Sequence, residues 1–342
     1  MSNNRPHAAR RTRAPFAATL ALAAAAALVC FALVGCNSNA STSPDKGASA
    51  SDSQKVQVAA SFYAMADFAE KIGGDRVEVT CLVPAGTEPH DWEPSTTDIK
   101  TLEAADVFVY NGAGMEHWTE DTLASLSNKD LVSVEASEGV SLRELGEEEG
   151  EEHEAEHGAE HEGHHHDHGG VDPHVWLAPQ NVKIEMANVK DALIAADPEG
   201  KAEYEANYAT WAAECDKLDK EFSEGLAGAA NRSIVVSHEA FGYLCDAYNL
   251  EQLPIEGIEA DAEPDAKTMA GIVEFVKANG VKVIFSEELV SPKVANSIAE
   301  ATGASVEELN PIEGLSEEDL AAGADYFSVM RANLEVLKKA LL

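Results

Sequence analysis

Only five of the 342 residues are cysteine, and no two of them are spaced as CxxC. That excludes a disulfide-stapled scaffold. Cys30 lies inside an apolar N-terminal run and Cys36 ends it, leaving Cys81, Cys215 and Cys245. These read as small buried apolar residues, and their odd number in an exported chain leaves at least one free thiol. Basic residues are also scarce: 24 Lys and Arg against 61 Asp and Glu give a formal net charge of -37. This excludes nucleic acid as a partner and sets up a field that draws in cations, although acid spread so evenly along a chain also serves plain solubility. None of the predicted helices carries an HExxH pair, the mark of a zinc-hydrolase helix.

The N-terminus does carry a pattern. Arg5, Arg10, Arg11 and Arg13 precede an uncharged apolar stretch from Ala14 to Val34, and Leu33-Val34-Gly35-Cys36 closes it with small residues. Such a sequence reads as an export signal over residues 1–36, ending in a lipobox whose Cys36 is lipidated. An uncleaved membrane span is the alternative, since about 20 apolar residues suffice. Residues 37–54, rich in Ser, Asn and Ala, favour the lipobox, because an anchored domain needs a flexible tether. The expected location is the outer face of the cytoplasmic membrane.

Beyond the tether, strand-like and helix-like stretches alternate. Val56 to Ser61, Val77 to Val83, Val107 to Tyr110 and Leu131 to Val134 read as strands, and Tyr63 to Ile72, Thr96 to Ala105 and Glu116 to Leu126 as helices. Pro179 opens a helix to Ala196, and Asp197-Pro198 caps another that reaches Leu226 through Tyr204, Tyr208, Trp211, Cys215, Leu218 and Phe222. At about 1.5 Å per residue that second helix spans roughly 40 Å. Past Gly228 the rhythm resumes: Ser233 to Ser237, Leu253 to Glu256, Val281 to Ser286 and Val306 to Leu309 are strands, with helices at Ala240 to Tyr248, Asp265 to Asn279, Pro292 to Thr302 and Tyr326 to Leu341. Such alternation predicts an α/β fold of parallel-rich sheets, four strands to each of two (βα)4 lobes. The expected division is a lobe at 55–197, a stiff linker helix at 198–228 and a lobe at 229–342.

Two segments stand out within this frame. Gly86-Thr87-Glu88-Pro89-His90-Asp91-Trp92-Glu93-Pro94 and Val171-Asp172-Pro173-His174-Val175-Trp176 each set a histidine behind a proline, which stiffens the approach and presents the imidazole at a fixed place. His238 ends the strand Ile234-Val235-Val236-Ser237. All three follow strand C-termini, where parallel sheets form their sites. Neutral imidazoles from three remote points suit zinc, which favours nitrogen and sulfur in a tetrahedron. Glu313, in Asn310-Pro311-Ile312-Glu313-Gly314 beyond the last strand, is the candidate fourth ligand; Glu88, Asp172 and a water are its rivals. Between 147 and 168, His153, His157, His161, His164, His165, His166 and His168 alternate with Glu, Gly and Asp and almost nothing apolar. This tract reads as an auxiliary surface loop that captures further metal weakly; a solvated acidic linker is the competing reading.

The succession of lipobox, GTEPHDWEP, His-rich acidic loop, DPHVWLAP, SHEAFGY and NPIEGL resembles the zinc-binding members of the metal-specific solute-binding proteins of ABC transporters, over nearly all of the chain after Cys36. The resemblance implies two similar lobes joined by one long helix, one Zn2+ between them, and delivery of that ion to a membrane permease. It carries the ligand role onto His90, His174 and His238, and onto Glu313 at a position that varies in the family. Such a protein is not an enzyme and is expected to be a monomer. Two other readings compete: an exported zinc hydrolase with water in the fourth position, and a metal-buffering adhesin whose His-rich loop is the whole function.

Overall fold

Strands that are apolar on both faces must be covered on both, and parallel pairing supplies that cover by bringing each connection back as a helix. The chain does this twice. The computed structural model describes residues 55–145, 170–258 and 264–342. The expected export signal with Cys36, the tether at 37–54 and the histidine tract at 147–168 lie outside the described residues.

In chain order the elements are β1 (Val56–Ala60), α1 (Tyr63–Gly73), β2 (Val77–Cys81), α2 (Thr96–Ala104), β3 (Val107–Tyr110), α3 (Thr119–Ser125), β4 (Val132–Glu135), α4 (Pro179–Ala196), α5 (Lys201–Leu226), β5 (Ser233–Val236), α6 (Gly242–Tyr248), β6 (Glu251–Pro254), α7 (Ala266–Asn279), β7 (Val283–Ser286), α8 (Lys293–Thr302), β8 (Ser305–Glu308), α9 (Glu317–Ala322) and α10 (Tyr326–Leu341). The strands form two sheets of four, ordered β2-β1-β3-β4 and β6-β5-β7-β8. Every pairing within the two described sheets is parallel, as the alternation predicts; Val58 lies opposite both Val79 and Val107, and Val235 opposite both Leu253 and Ile284. In each sheet the order reverses beside the central strand, and a crevice opens there outside the strand C-termini.

Strand residues alternate between two sets of packing partners, as their period of two requires. Val58, Ala60, Val107, Val109, Ile234, Val236 and Phe285 join one apolar core that runs through both sheets and includes Phe62, Trp176, Phe222 and Tyr326. Ala59 and Phe108 face a smaller core with Leu102 and Trp118, and Val235 and Ile284 another with Ile272 and Ile298. The shared core couples the two halves beyond any single connection.

Helix α5 contributes Tyr204, Cys215, Leu218 and Phe222 to that core, and its 26 residues span roughly 39 Å at about 1.5 Å each. The long helix begins later than expected. Asp197 caps a short 3-10 turn, Pro198–Gly200, before α5 starts, because its carboxylate is also held by Arg76 and by the Tyr204 hydroxyl at 2.9 Å. Gly200 packs so tightly against Arg76, Asp197 and Tyr204 that a Cβ would clash with all three. Likewise α3 starts at Thr119 and not Glu116, whose carboxylate accepts the amides of Asn111 at 2.8 Å and Gly112 at 3.0 Å and so closes a loop. Strand β6 starts at Glu251, two residues before the expected Leu253, in register with Ser233 of β5. α9 is an element the periodicity does not show: a single short helix capped by Ser316 and stopped at Gly323, whose φ is +81°.

Lys71 braces α1, α5 and α10 together. Its ammonium pairs with Asp67 at 2.8 Å and Asp325 at 2.9 Å and lies 4.7 Å over the Trp211 ring. Cys215 and Cys245 are buried and Cys81 half-buried, all three unpaired, and burial holds their thiols above the ordinary range. No helix among the described residues is long and apolar enough to cross a membrane.

Candidate metal centre

Each candidate histidine is positioned by its own backbone. After β2 the chain turns at Gly86, whose φ is +72° and whose amide donates to the Leu315 carbonyl at 3.1 Å, tying this loop to the segment beyond β8. Glu88 accepts the His90 amide at 2.9 Å and so orients the histidine without entering the cage. On the second Pro-His segment, Asp172 accepts both the His174 amide at 3.0 Å and its Nδ1–H at 2.8 Å. That bond leaves the Nε2 lone pair free to face a metal, the orienting role such carboxylates play behind ligating histidines. Both carboxylate rivals for the fourth position are therefore occupied behind the rings.

His238 leaves β5 with Nε2 2.6 Å from the Ile258 carbonyl, so Nδ1 faces inward. The Glu313 segment is the most constrained. Asn333 brackets Asn310 through bonds of 3.0 and 2.7 Å, and Asn310 Oδ1 accepts the Ile312 amide at 2.7 Å. Ile312, fully buried, is held at φ +61°, a left-handed conformation that costs a branched side chain roughly 1–2 kcal/mol. Trp176 Nε1 donates to the Pro311 carbonyl at 2.7 Å, and the Trp176 carbonyl accepts the Tyr326 hydroxyl at 2.7 Å. One tryptophan thereby locks the segment after His174 to the segment before Glu313.

The four side chains meet. Glu313 Oε1 is 3.0 Å from His174 Nε2, 3.3 Å from His90 Nε2 and 3.7 Å from His238 Nδ1, and the two Nε2 atoms are 3.2 Å apart. All four donors lie within 4.8 Å of one another, and all four residues are at most 2% exposed. Among the described residues this is the one group of His, Cys, Asp and Glu donors close enough to share an ion. Bonds of about 2.0–2.1 Å from a tetrahedral zinc place its donors roughly 3.3 Å apart, a spacing that Glu313, His90 and His174 already hold and that the 3.7 Å from Glu313 to His238 exceeds. Three nitrogens and one carboxylate suit zinc and disfavour Mg2+, Ca2+ and Mn2+, which want six or more oxygen-rich ligands.

The electrostatics are those of a cage tuned for a cation. Burial holds the His90 imidazole down at about 4, keeping it neutral. Burial alone would also lower His238, but Glu313, Glu287 and the Ile258 carbonyl outweigh it and hold that ring up at about 10. For His174, burial is likewise outweighed by Asp172 and Glu313, and the ring is raised. Against its own burial, Glu313 is pulled well below the ordinary carboxylate range by His238, His174 and His90. Burial and the Glu313 charge push Glu88 up to about 7.

Sequence reasoning missed three contributors: the Ile258 carbonyl, the Trp176 indole and Glu287, whose Oε2 is 3.3 Å from His238 Nδ1. Glu287 directly follows β7, so the strand-end rule that selected His238 and Glu313 also covers it.

Paired α/β halves with four buried donors at their seam define a two-lobed binding protein built to hold one metal ion. The chain belongs to the zinc-uptake complex component A (periplasmic) family, whose model matches residues 58–340. It is 41% identical to the high-affinity zinc uptake system protein ZnuA of Bacillus subtilis, over 92% of this chain and 95% of that protein. Among solved structures it resembles the Zn(II)-bound ZnuA-like domain of Streptococcus pneumoniae AdcA, with TM-score 0.70 and 35% identity over 84% of this chain and 99% of that one. It also resembles the laminin-binding protein Lmb of Streptococcus agalactiae, described as bifunctional with adhesin and metal-transporting activity, with TM-score 0.72 and 30% identity over 84% of this chain and 100% of that one.

Proposed function

We propose that this chain is the extracytoplasmic receptor of an ABC importer: it binds one Zn2+ through His90 Nε2, His174 Nε2, His238 Nδ1 and Glu313 Oε1 and delivers it to a membrane permease. The observation that carries this reading is the set of four buried donors within 4.8 Å of one another. In this reading residues 55–197 form one metal-binding lobe, 198–228 the linker and 229–342 the other lobe. Residues 1–36 direct export, Cys36 carries lipid on the outer face of the cytoplasmic membrane, and 37–54 tether a monomeric receptor. The tract at 147–168 captures further metal at low affinity. A carboxylate in the fourth position favours carrying over hydrolysis, because a catalytic zinc keeps that position for water.

Zinc lowers the free energy of the folded state only, so at a hundredfold excess over its Kd it adds about 2.7 kcal/mol of stability. His90→Ala should abolish most of that gain. Calorimetry should find one tight Zn2+ per chain and weaker Mn2+ binding. Tighter Mn2+ than Zn2+, or a full zinc response in the His90 variant, would overturn the assignment.

A further inference from the structure

We propose that Tyr243 is a positioning residue of the metal site: its hydroxyl ties the turn carrying His174 to the half carrying His238 and Glu313, and that tie governs how fast the ion leaves. The inference rests on reading those side chains as ligands, and adds to them a residue that touches no metal. Two short runs, 143–145 and 170–172, form an antiparallel strap. Glu144 pairs with Val171, the Leu145 amide donates to the Gly170 carbonyl and the Asp172 amide to the Arg143 carbonyl, both at 2.8 Å. Asp172 ends the strap one proline before His174, and its Oδ1 accepts the His174 amide at 3.0 Å.

Tyr243 reaches this strap from α6, the helix that follows His238. Its hydroxyl accepts the Arg143 amide at 2.9 Å and donates to the Asp172 carbonyl at 2.8 Å, so it serves one backbone group of the first half as acceptor and another as donor. The neighbouring position is equally tight, since a Cβ on Gly242 would collide with the Asp172 carboxylate and the Arg143 side chain. The Arg143 guanidinium lies 3.5 Å from Asp172 and 3.3 Å from Asp246 of α6. Asp172 and His174 are fully buried, whereas the side chains of Arg143 and Asp246 are 31% and 66% exposed. A cavity of about 390 Å3 adjoins them, lined by Leu142, Arg143, Gln180, Tyr243 and Asp246 among others. Tyr243 thus stands between that cavity and the buried turn. An ion whose four donors are at most 2% exposed and come from both halves leaves only when those donors part. The Tyr243 bonds cross the same seam beside His174, so parting breaks them, and their loss should show in the release rate more than in capture.

The test compares the mature chain as wild type, Tyr243→Phe and Tyr248→Phe. Both substitutions keep the ring and remove one hydroxyl of α6, but that of Tyr248 bonds Asp219 of α5, at 3.1 Å, instead of the strap. Stopped-flow transfer of Zn2+ to excess chromophoric chelator should run about tenfold faster from Tyr243→Phe than from wild type, the effect of a buried hydrogen bond lost from the loaded form. Capture should change little, and Tyr248→Phe should release zinc at the wild-type rate. Urea unfolding supplies the second readout: Tyr243→Phe should lose more stability zinc-loaded than metal-free, whereas Tyr248→Phe should lose the same in both forms. Unchanged release from Tyr243→Phe, or equal losses in its two forms, overturns the proposal and leaves Tyr243 a packing residue; so does equal acceleration by Tyr248→Phe. A wild type that takes up no Zn2+ would instead overturn the four-donor reading itself, and the proposal with it.

Discussion

In the proposed site zinc competes with a proton for His238, and Glu313 is the largest charge that favours the proton. The Glu313 oxygen lies 3.7 Å from His238 Nδ1. Opposite charges about 4 Å apart interact by about 4 kcal/mol at an effective dielectric near 20, and one pKa unit is about 1.4 kcal/mol, so this contact alone is worth roughly three units. That is the scale on which His238 is held up, at about 10 against an ordinary 6.5. At pH 7 the ring is charged in the metal-free protein, and zinc affinity stands about a thousandfold below its alkaline limit. Apparent affinity should therefore rise about tenfold per pH unit from 7 to 9, with at least one proton released per ion. Calorimetry in buffers of different ionisation enthalpy reads the proton count directly. In Glu313→Gln the largest of the charges that raise His238 is gone while Glu287 and the Ile258 carbonyl remain, so the ring is held up less strongly and competes less for its proton. The variant should bind zinc far more weakly at every pH, and with a flatter pH dependence. An equal slope in both proteins, or no proton release by the wild type at pH 7.5, would refute the reasoning.

Other perturbations probe the frame. Glu185 is fully buried with neither carboxylate oxygen hydrogen-bonded among the described residues, and burial together with Glu116 pushes it up to about 8. An acid raised in the fold loses stability as pH climbs from its unfolded value near 4.5 towards 8, by about 1.4 kcal/mol per unit. Glu185→Gln should remove that slope, so urea unfolding at pH 5 and pH 8 should show the variant gaining on the wild type, and parallel pH profiles would contradict this. Trp176→Phe removes the donor to Pro311 and leaves its carbonyl unpaired, at a cost of about 1–3 kcal/mol. Zinc affinity should fall with it, because Pro311 leads into Glu313; full stability loss with unaltered affinity would mean that Trp176 packs without positioning. Deleting residues 147–168 should leave the tight zinc site intact, since Leu145 and Gly170 are already joined by a bond of 2.8 Å. Loss of the tight site on deletion would place the metal in the tract.

Residue order alone was enough for the architecture and for nominating the four side chains that the fold brings together, His90, His174, His238 and Glu313. The βα alternation requires parallel sheets because backbone groups in buried strands must pair, and the Pro-His segments at 90 and 174 mark rigid presentation wherever they fold. Helix starts were less legible where a side chain prefers a loop bond to a helical turn, as Glu116 does with the amides of Asn111 and Gly112. Among carboxylates the pattern put Glu313 first but left Glu88 and Asp172 as rivals. Glu88, Asp172 and Glu313 all sit beside histidines or at strand ends, and only packing sends Glu88 and Asp172 behind the rings and Glu313 into their midst. That decision rests on contacts between residues far apart in the chain: Trp176 with Pro311, Asn333 with Asn310, and Ile312 pressed into a left-handed turn. Local propensity specifies which elements form, but the direction of a side chain at a seam depends on what arrives from the other half.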